Sequence, residues 1–205
     1  MITPVARPTV RLGLGLLAVG LFLFAIPTTA TARTAPAVSV SASPASRTTG
    51  TTETVQAFMT LYGYVDNSPP GRDIAHPCGA RKGAGGTGTY TDPITFATDV
   101  HELPWCTLIY VPYMERYFIH EDECSECDQN WKNLQKYRFD MWAGGDKASR
   151  HQPEKKALLQ CEDTWTRGNS INDPNNPTIT INPPSGLPVT TAPIFSPPTS
   201  CWAGP

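Results

Sequence analysis

No stretch of this sequence is strongly basic. Its 16 Lys and Arg are outnumbered by 18 Asp and Glu, for a formal charge of −2. Without a basic patch or stripe the chain lacks the electrostatic footprint by which proteins hold nucleic acid. Long apolar runs are missing too. Leu12 to Ile26 is about 15 residues, short of the ~20 that span a bilayer. Paired metal-ligand elements are also absent. Cys124-x-x-Cys127 has no second Cys-x-x-Cys, and the four His never fall at His-x3–5-His spacing, so the ligand set of a structural zinc site is incomplete. There is no internal repeat, and no metal or cofactor is expected.

What is present begins with Arg7 and Arg11, then the apolar run, then small residues ending in Ala30-Thr31-Ala32. That order reads as a signal peptide over residues 1–32, so a secreted, extracellular chain is expected. Loss of its two arginines takes the charge from −2 to about −4. Residues 33–54 are rich in Ser, Thr, Ala and Pro and hold no aromatic residue, which predicts a disordered spacer. Residues 167–205 carry nine Pro and only two charges. They read as a Pro-rich tail whose Thr178–Ile181 segment suits an edge strand, and Cys201 is placed to staple the tail back. The folded domain is thereby assigned to residues 55–166, an ordinary size for one core.

Secretion sets the meaning of the six cysteines, Cys78, Cys106, Cys124, Cys127, Cys161 and Cys201. Three disulfides are expected, in any of fifteen connectivities. Cys124 and Cys127 are expected to bond to different distant partners and so pin a turn. A redox pair would need a helix starting after the first cysteine, and none is expected there.

Val55 to Tyr62 alternates with period two and reads as a strand. Ile94 to Ala97, Cys106 to Val111, Arg116 to Glu121 and Tyr137 to Trp142 are rich in β-branched and aromatic residues, and the middle two form a hairpin across a Pro-containing turn. Pro153 to Cys161 is the one convincing helix. Short strands, glycine punctuation and a single helix predict a mainly β, small six-stranded barrel stapled by disulfides.

Several elements, in order, resemble the double-psi β-barrel group: expansins, family-45 endoglucanases, barwin-like plant proteins and the bacterial rare-lipoprotein-A-type domain. They are Thr60-x-Tyr62-Gly63 on the opening strand, the Gly83–Gly88 segment, Asp122 followed by Cys124-x-x-Cys127, and Phe139-Asp140 at a strand end. The resemblance covers nearly the whole folded core. It implies that Asp140 is the acidic residue nearest a sugar linkage. Expansins add a second β-sandwich domain for which this chain has no room. The endoglucanases carry a second catalytic Asp on the first strand, whose nearest counterpart here is Asp66.

Alternation along Tyr117–Asp122 groups Phe118, His120 and Asp122 on one face. With Ile119 taken to face the core, Asp122 points outward or into a groove. Two carboxylates at one groove are the minimum for glycoside chemistry, so Asp140, Asp122 and Asp66 are the candidate catalytic residues. Asp122 and Asp140 equally suit hydrogen-bonding roles at a barrel crossing, and Asp66 suits an Asx-turn. Thr60, Tyr62, Tyr64 and Trp142 are the candidate substrate-binding residues, while Tyr110 and Trp165 suit the core. Glu123, Glu126, His76 and His101 read as solvated.

The expected function is that of a secreted, expansin-like monomer that binds or loosens cell-wall polysaccharide (glucan, chitin or peptidoglycan) without hydrolysis. No nucleic-acid or membrane partner is expected. Two alternatives remain: an inverting glycoside hydrolase with Asp140 as general acid, and a barwin-like defence or protease-inhibitor protein.

Overall fold

The computed structural model describes residues 50–205. The expected signal peptide and nearly all of the spacer lie outside them. The chain forms β1 (Glu53–Gly63), β2 (Ile94–Thr98), β3 (Leu108–Val111), β4 (Arg116–Glu123), α1 (Ser125–Leu134), β5 (Tyr137–Gly144), α2 (Glu154–Trp165) and β6 (Thr178–Ile181), followed by the short β7 (Phe195–Ser196) and β8 (Ser200–Cys201). Six strands close into a barrel in the order β1-β5-β2-β4-β3-β6, and β7 and β8 form a separate ribbon. The mainly β, six-stranded, disulfide-stapled fold is as expected. No helix among the described residues is long and apolar enough to cross a membrane.

Alternation places the core. On β1, Ala57, Met59 and Leu61 are buried, and on β5 so are Phe139 and Met141; Phe96, Ile109, Phe118 and Ile179 complete the interior from other strands. The rings of Phe96 and Phe139 meet edge-on at 5.4 Å, a favoured arrangement. Each such side chain contributes roughly 1.5–3 kcal/mol of burial free energy.

Thr178–Ile181 is more than an edge strand: β6 pairs antiparallel with both β1 and β3 and closes the barrel. Closure removes the exposed edge that would otherwise template aggregation.

Three features differ from expectation. A second helix, α1, begins immediately after Cys124, which is its N-cap. Cys124 and Cys127 bond to each other rather than to distant partners, and the other disulfides are Cys78–Cys106 and Cys161–Cys201. The reason is local. The helical turn brings residues three apart together, with the Cys127 amide donating to Cys124 Sγ at 3.1 Å.

The third difference is on β4. Phe118 and His120, not Ile119, belong with the interior residue Phe96, whose ring lies 5.4 Å from His120. His120 is wholly buried, and its ring stacks on Trp105 at 4.3 Å. The β2–β4 pairing runs Phe96 to His120 and then Ala97 to Asp122, so Glu121 is an extra residue in a bulge. Paired residues share a face, so the bulge turns Asp122 to the face opposite His120.

Candidate functional site

Strand register assembles a row of side chains. β1 and β5 run parallel, with Thr60 beside Asp140 and Tyr62 beside Trp142. β5 and β2 are antiparallel, with Asp140 beside Ala97, and β2 carries Ala97 beside Asp122 of β4. Thr60, Asp140, Ala97 and Asp122 therefore lie in one line across four strands, on the face opposite Met59, Phe139 and Phe96. Ala97 leaves a gap between two carboxylates whose backbones are two strand spacings, or about 9.6 Å, apart. The register thus brings Thr60, Asp140 and Asp122 into one row, with Tyr62 and Trp142 one step along it.

Asp140 is half-buried. Its Oδ1 accepts from Thr60 Oγ1 at 2.8 Å, and among the described residues no main-chain amide is bonded to it. Burial pushes its pKa up to about 7, against the Thr60 hydrogen bond, which lowers it; Asp66 and Glu126 add repulsion. A carboxyl titrating near neutrality, and free apart from one hydroxyl, can donate a proton or hydrogen bond to an oxygen placed over it.

Asp122 is held differently. Its Oδ1 accepts from the amides of Ala75 (3.2 Å) and Glu123 (3.0 Å), and its Oδ2 accepts from Tyr62 Oη at 2.9 Å. Burial raises its pKa and these three donors oppose the rise. The Tyr62 hydroxyl is bonded to Asp122, and burial first, then Asp122, and then Asp140 among the smaller causes, raise its pKa well above the usual value. Asp122 is occupied as a crossing-point acceptor.

Asp66 is exposed and its Oδ1 accepts from the Gly63 amide at 2.7 Å. Asn67 Oδ1 accepts from the amide of the adjacent Ser68 at 2.9 Å, a bond one residue on rather than the two of an Asx-turn. Tyr62 and Trp142 are buried (7% and 5% exposed) and packed edge-to-face at 5.3 Å. They pack against each other beside the acids rather than present open ring faces. Tyr64 is half-buried under the Arg150 guanidinium, 5.3 Å from its ring centre.

Two acids escaped the sequence reading. Glu162 of α2 is buried and pushed up to about 10, by burial first and then by Asp66 and Asp140. Gly63 packs beneath it: a Cβ there would lie 2.6 Å from Glu162 Oε1, so that carboxyl would have to shift. The buried face of α2 comprises Glu154, Leu158, Cys161, Glu162 and Trp165. That helical spacing was the available signal. Glu102 accepts from Thr98 Oγ1 at 2.7 Å and from the Arg138 amide at 3.0 Å, and burial pushes it up to about 8.

A recess of about 640 Å³ lies elsewhere. Asp99, His101, Glu123, Asp128 and Trp131 are among its lining residues, and it adjoins the row only through Glu123, next to Asp122 in sequence. The exposed His101 imidazole and buried Asp99 contact at 2.9 Å. For metals, His76 and the sulfurs of Cys78 and Cys106 lie within 4.8 Å of one another. The two sulfurs are joined as a disulfide, which leaves no thiolate to act as ligand.

No solved structure matches this chain. A curated relative, "Uncharacterized protein DDB_G0273701/DDB_G0273221" of Dictyostelium discoideum, is 43% identical over 86 residues, covering 42% of this chain and 38% of that protein. The chain thus matches well under half of that relative's length. The family model described as "DDB_G0273701 N-terminal domain" matches residues 54–202, from the first barrel strand to the stapled tail. The chain therefore belongs to the DDB_G0273701 N-terminal domain family.

Proposed function

We propose that this chain is a secreted protein with a double-psi barrel that binds cell-wall polysaccharide and loosens it without hydrolysis, using the Asp140 carboxyl as a hydrogen-bond donor to a sugar oxygen. The observation that carries the reading is the state of Asp140: half-buried, bonded among the described residues only to Thr60, and pushed up to about 7. A neutral carboxyl donates to a hydroxyl or glycosidic oxygen, whereas an ionised one only accepts. The parallel pairings β1–β5 and β2–β4 within a closed six-stranded barrel support the double-psi assignment. Three disulfides are in keeping with an oxidising compartment.

Binding is preferred to cleavage because inversion needs a second carboxylate free to activate water. Asp122 is at a suitable strand spacing, yet both its oxygens are taken. The half-buried Trp131 ring in the large recess offers the apolar face that Tyr62 and Trp142 withhold. A hydrolytic reading has one observation in its favour. Exposed Asp66 raises both Asp140 and Glu162, so a base with an oxygen outside its turn bond lies in the field of the acid.

Co-sedimentation with insoluble cellulose, chitin and peptidoglycan, scored together with new reducing ends, tests these readings. Sedimentation with one polymer and no new ends, weakened in Asp140→Asn, supports the binder. New ends that vanish in Asp140→Asn and Asp66→Asn support the hydrolase. Failure to bind or cleave any polymer removes the carbohydrate reading and leaves the inhibitor class.

A further inference from the structure

β2 and β4 run parallel, with Thr98 beside Glu123 at their ends. The turn after β2 carries Asp99 and His101, and α1 begins two residues after Glu123. Along that helix Asp128, Trp131, Lys132 and its C-cap Gln135 follow at intervals of three and four, the spacing of one helix face. The Cys124–Cys127 disulfide ties its first turn. Together these residues line the recess of about 640 Å³. The groups a ligand would meet are open to solvent: Glu123, Asp128 and Lys132 are exposed, and Trp131 is half-buried.

Three carboxylates outnumber one lysine among the lining residues. Asp99 is already committed: its Oδ1 accepts from the His101 amide at 2.7 Å and meets the imidazole Nδ1 at 2.9 Å. Glu123 and Asp128 form no ion pair among the described residues. Burial first, then repulsion from Asp99 and Glu123, raise the Asp128 pKa, and His101 opposes the rise. A positive group placed between Glu123 and Asp128 relieves that repulsion. Trp131 adds a second preference of the same sign, because the negative face of an indole attracts a cation. Tyr137 packs against that ring with centroids 5.3 Å apart and steadies it. A bare metal ion does not suit the recess. Among the described residues the set of ligand atoms within 4.8 Å of one another is that of His76, Cys78 and Cys106, and none of the recess acids belongs to it.

We propose that the recess binds a sugar bearing a protonated amine, the glucosamine unit of deacetylated chitin, with its ammonium between Glu123 and Asp128 and its apolar C–H face on Trp131. This deepens the polysaccharide reading, on which it rests, by giving the bound polymer a positive charge. An aromatic wall with a few polar groups at its edge is the usual make-up of a small-ligand pocket. A lysine side chain offers the same charge without a flat sugar face, so the Trp131 ring favours the sugar over a basic peptide. N-acetylation removes the charge and leaves the neutral sugar only the stack.

The purified chain is titrated at mildly acidic pH with tetramers of glucosamine, N-acetylglucosamine and glucose of the same linkage, and with tetralysine, following tryptophan emission and the heat of binding at low and high salt. The expected result is saturation by the glucosamine tetramer, about tenfold tighter than by the other three and weakened by salt. Glu123→Gln combined with Asp128→Asn, and separately Trp131→Ala, should each weaken it about tenfold. Equal binding of a neutral tetramer, or a parent-like response of either variant, overturns this inference and leaves the Asp140 reading standing. Equal binding of tetralysine assigns the recess to a basic peptide and overturns it as well. If no tetramer saturates while the chain still sediments with cellulose or chitin, this inference alone falls; if neither occurs, both readings fall. Should Trp131→Ala not fold, the double carboxylate variant, changed only at exposed positions, decides.

Discussion

Thr60 Oγ1 donates to Asp140 Oδ1 at 2.8 Å across the parallel β1–β5 pair. Among the described residues that is the one hydrogen bond to the Asp140 carboxyl, whereas Asp122 accepts three. Thr60→Val keeps the shape of the side chain and removes the donor. Since the bond lowers the Asp140 pKa, its loss should move the titration midpoint upward from about 7, by about one unit for one hydrogen bond to a charged group. Carboxyl chemical shifts followed against pH measure this. An unmoved midpoint means that Thr60 does not hold the charged form.

Tyr62→Phe removes one donor from Asp122 and leaves Oδ2 without that partner in a buried setting. The expected cost is about 1–3 kcal/mol of stability, read as a lower denaturant midpoint with unchanged slope. The Asp122 pKa should rise further, because the tyrosine bond now opposes its increase. A variant as stable as the parent would show that the Tyr62–Asp122 bond contributes nothing.

Alkaline pH should destabilise the protein. Burial raises Asp140 to about 7, Glu102 to about 8 and Glu162 to about 10. Each folded carboxyl keeps a proton that the unfolded chain gives up near its ordinary value of 3.8 or 4.5. The stability from these groups is therefore complete below about pH 4 and lost as pH rises through 7 to 10. The melting temperature should fall steadily from pH 5 to pH 9, and Glu162→Gln should flatten the alkaline end. A melting temperature that is level or rises over that range contradicts the assignment.

The disulfides should contribute unequally. Cys161–Cys201 closes a sequence separation of 40 and Cys124–Cys127 one of 3. Chain-entropy scaling gives about 4 kcal/mol for the first and about 2 for the second. Paired Cys→Ser substitutions, unfolded in urea, measure the difference. Only loss of the first should also redden tryptophan emission, because it releases the stack of Trp202 on Trp165, now at 4.4 Å. Equal costs would contradict the scaling.

The barrel was legible because alternation on β1 and β5 survives in the residues themselves: Met59, Leu61, Phe139 and Met141 are the interior, and Thr60 and Asp140 the opposite face. The Glu121 bulge was not legible. It turns Asp122 over after His120 through a backbone irregularity that no side-chain pattern announces. Asp122 thus faces away from the core as expected, for a different reason, while Phe118 and His120 go inward where Ile119 was expected. Helix α1 was hidden by its polar composition, with Cys127 its only buried residue. Its acidic first turn, Glu126 and Asp128, was a usable signal. The pairing of Cys124 with Cys127 followed from that helix and was missed with it. Arg116 could not be read as buried, because an arginine beginning a strand usually faces water; the Trp202 ring that covers its guanidinium comes from the far end of the chain.

The most direct measurement is a carbon-13 titration of the Asp140 carboxyl, alone and with soluble cello-oligosaccharides, chito-oligosaccharides and muropeptides. The account predicts a midpoint near 7 in the free protein that moves upward with one of these sugars, since a neutral carboxyl is the form that donates. A midpoint near 4 that no sugar displaces would contradict it.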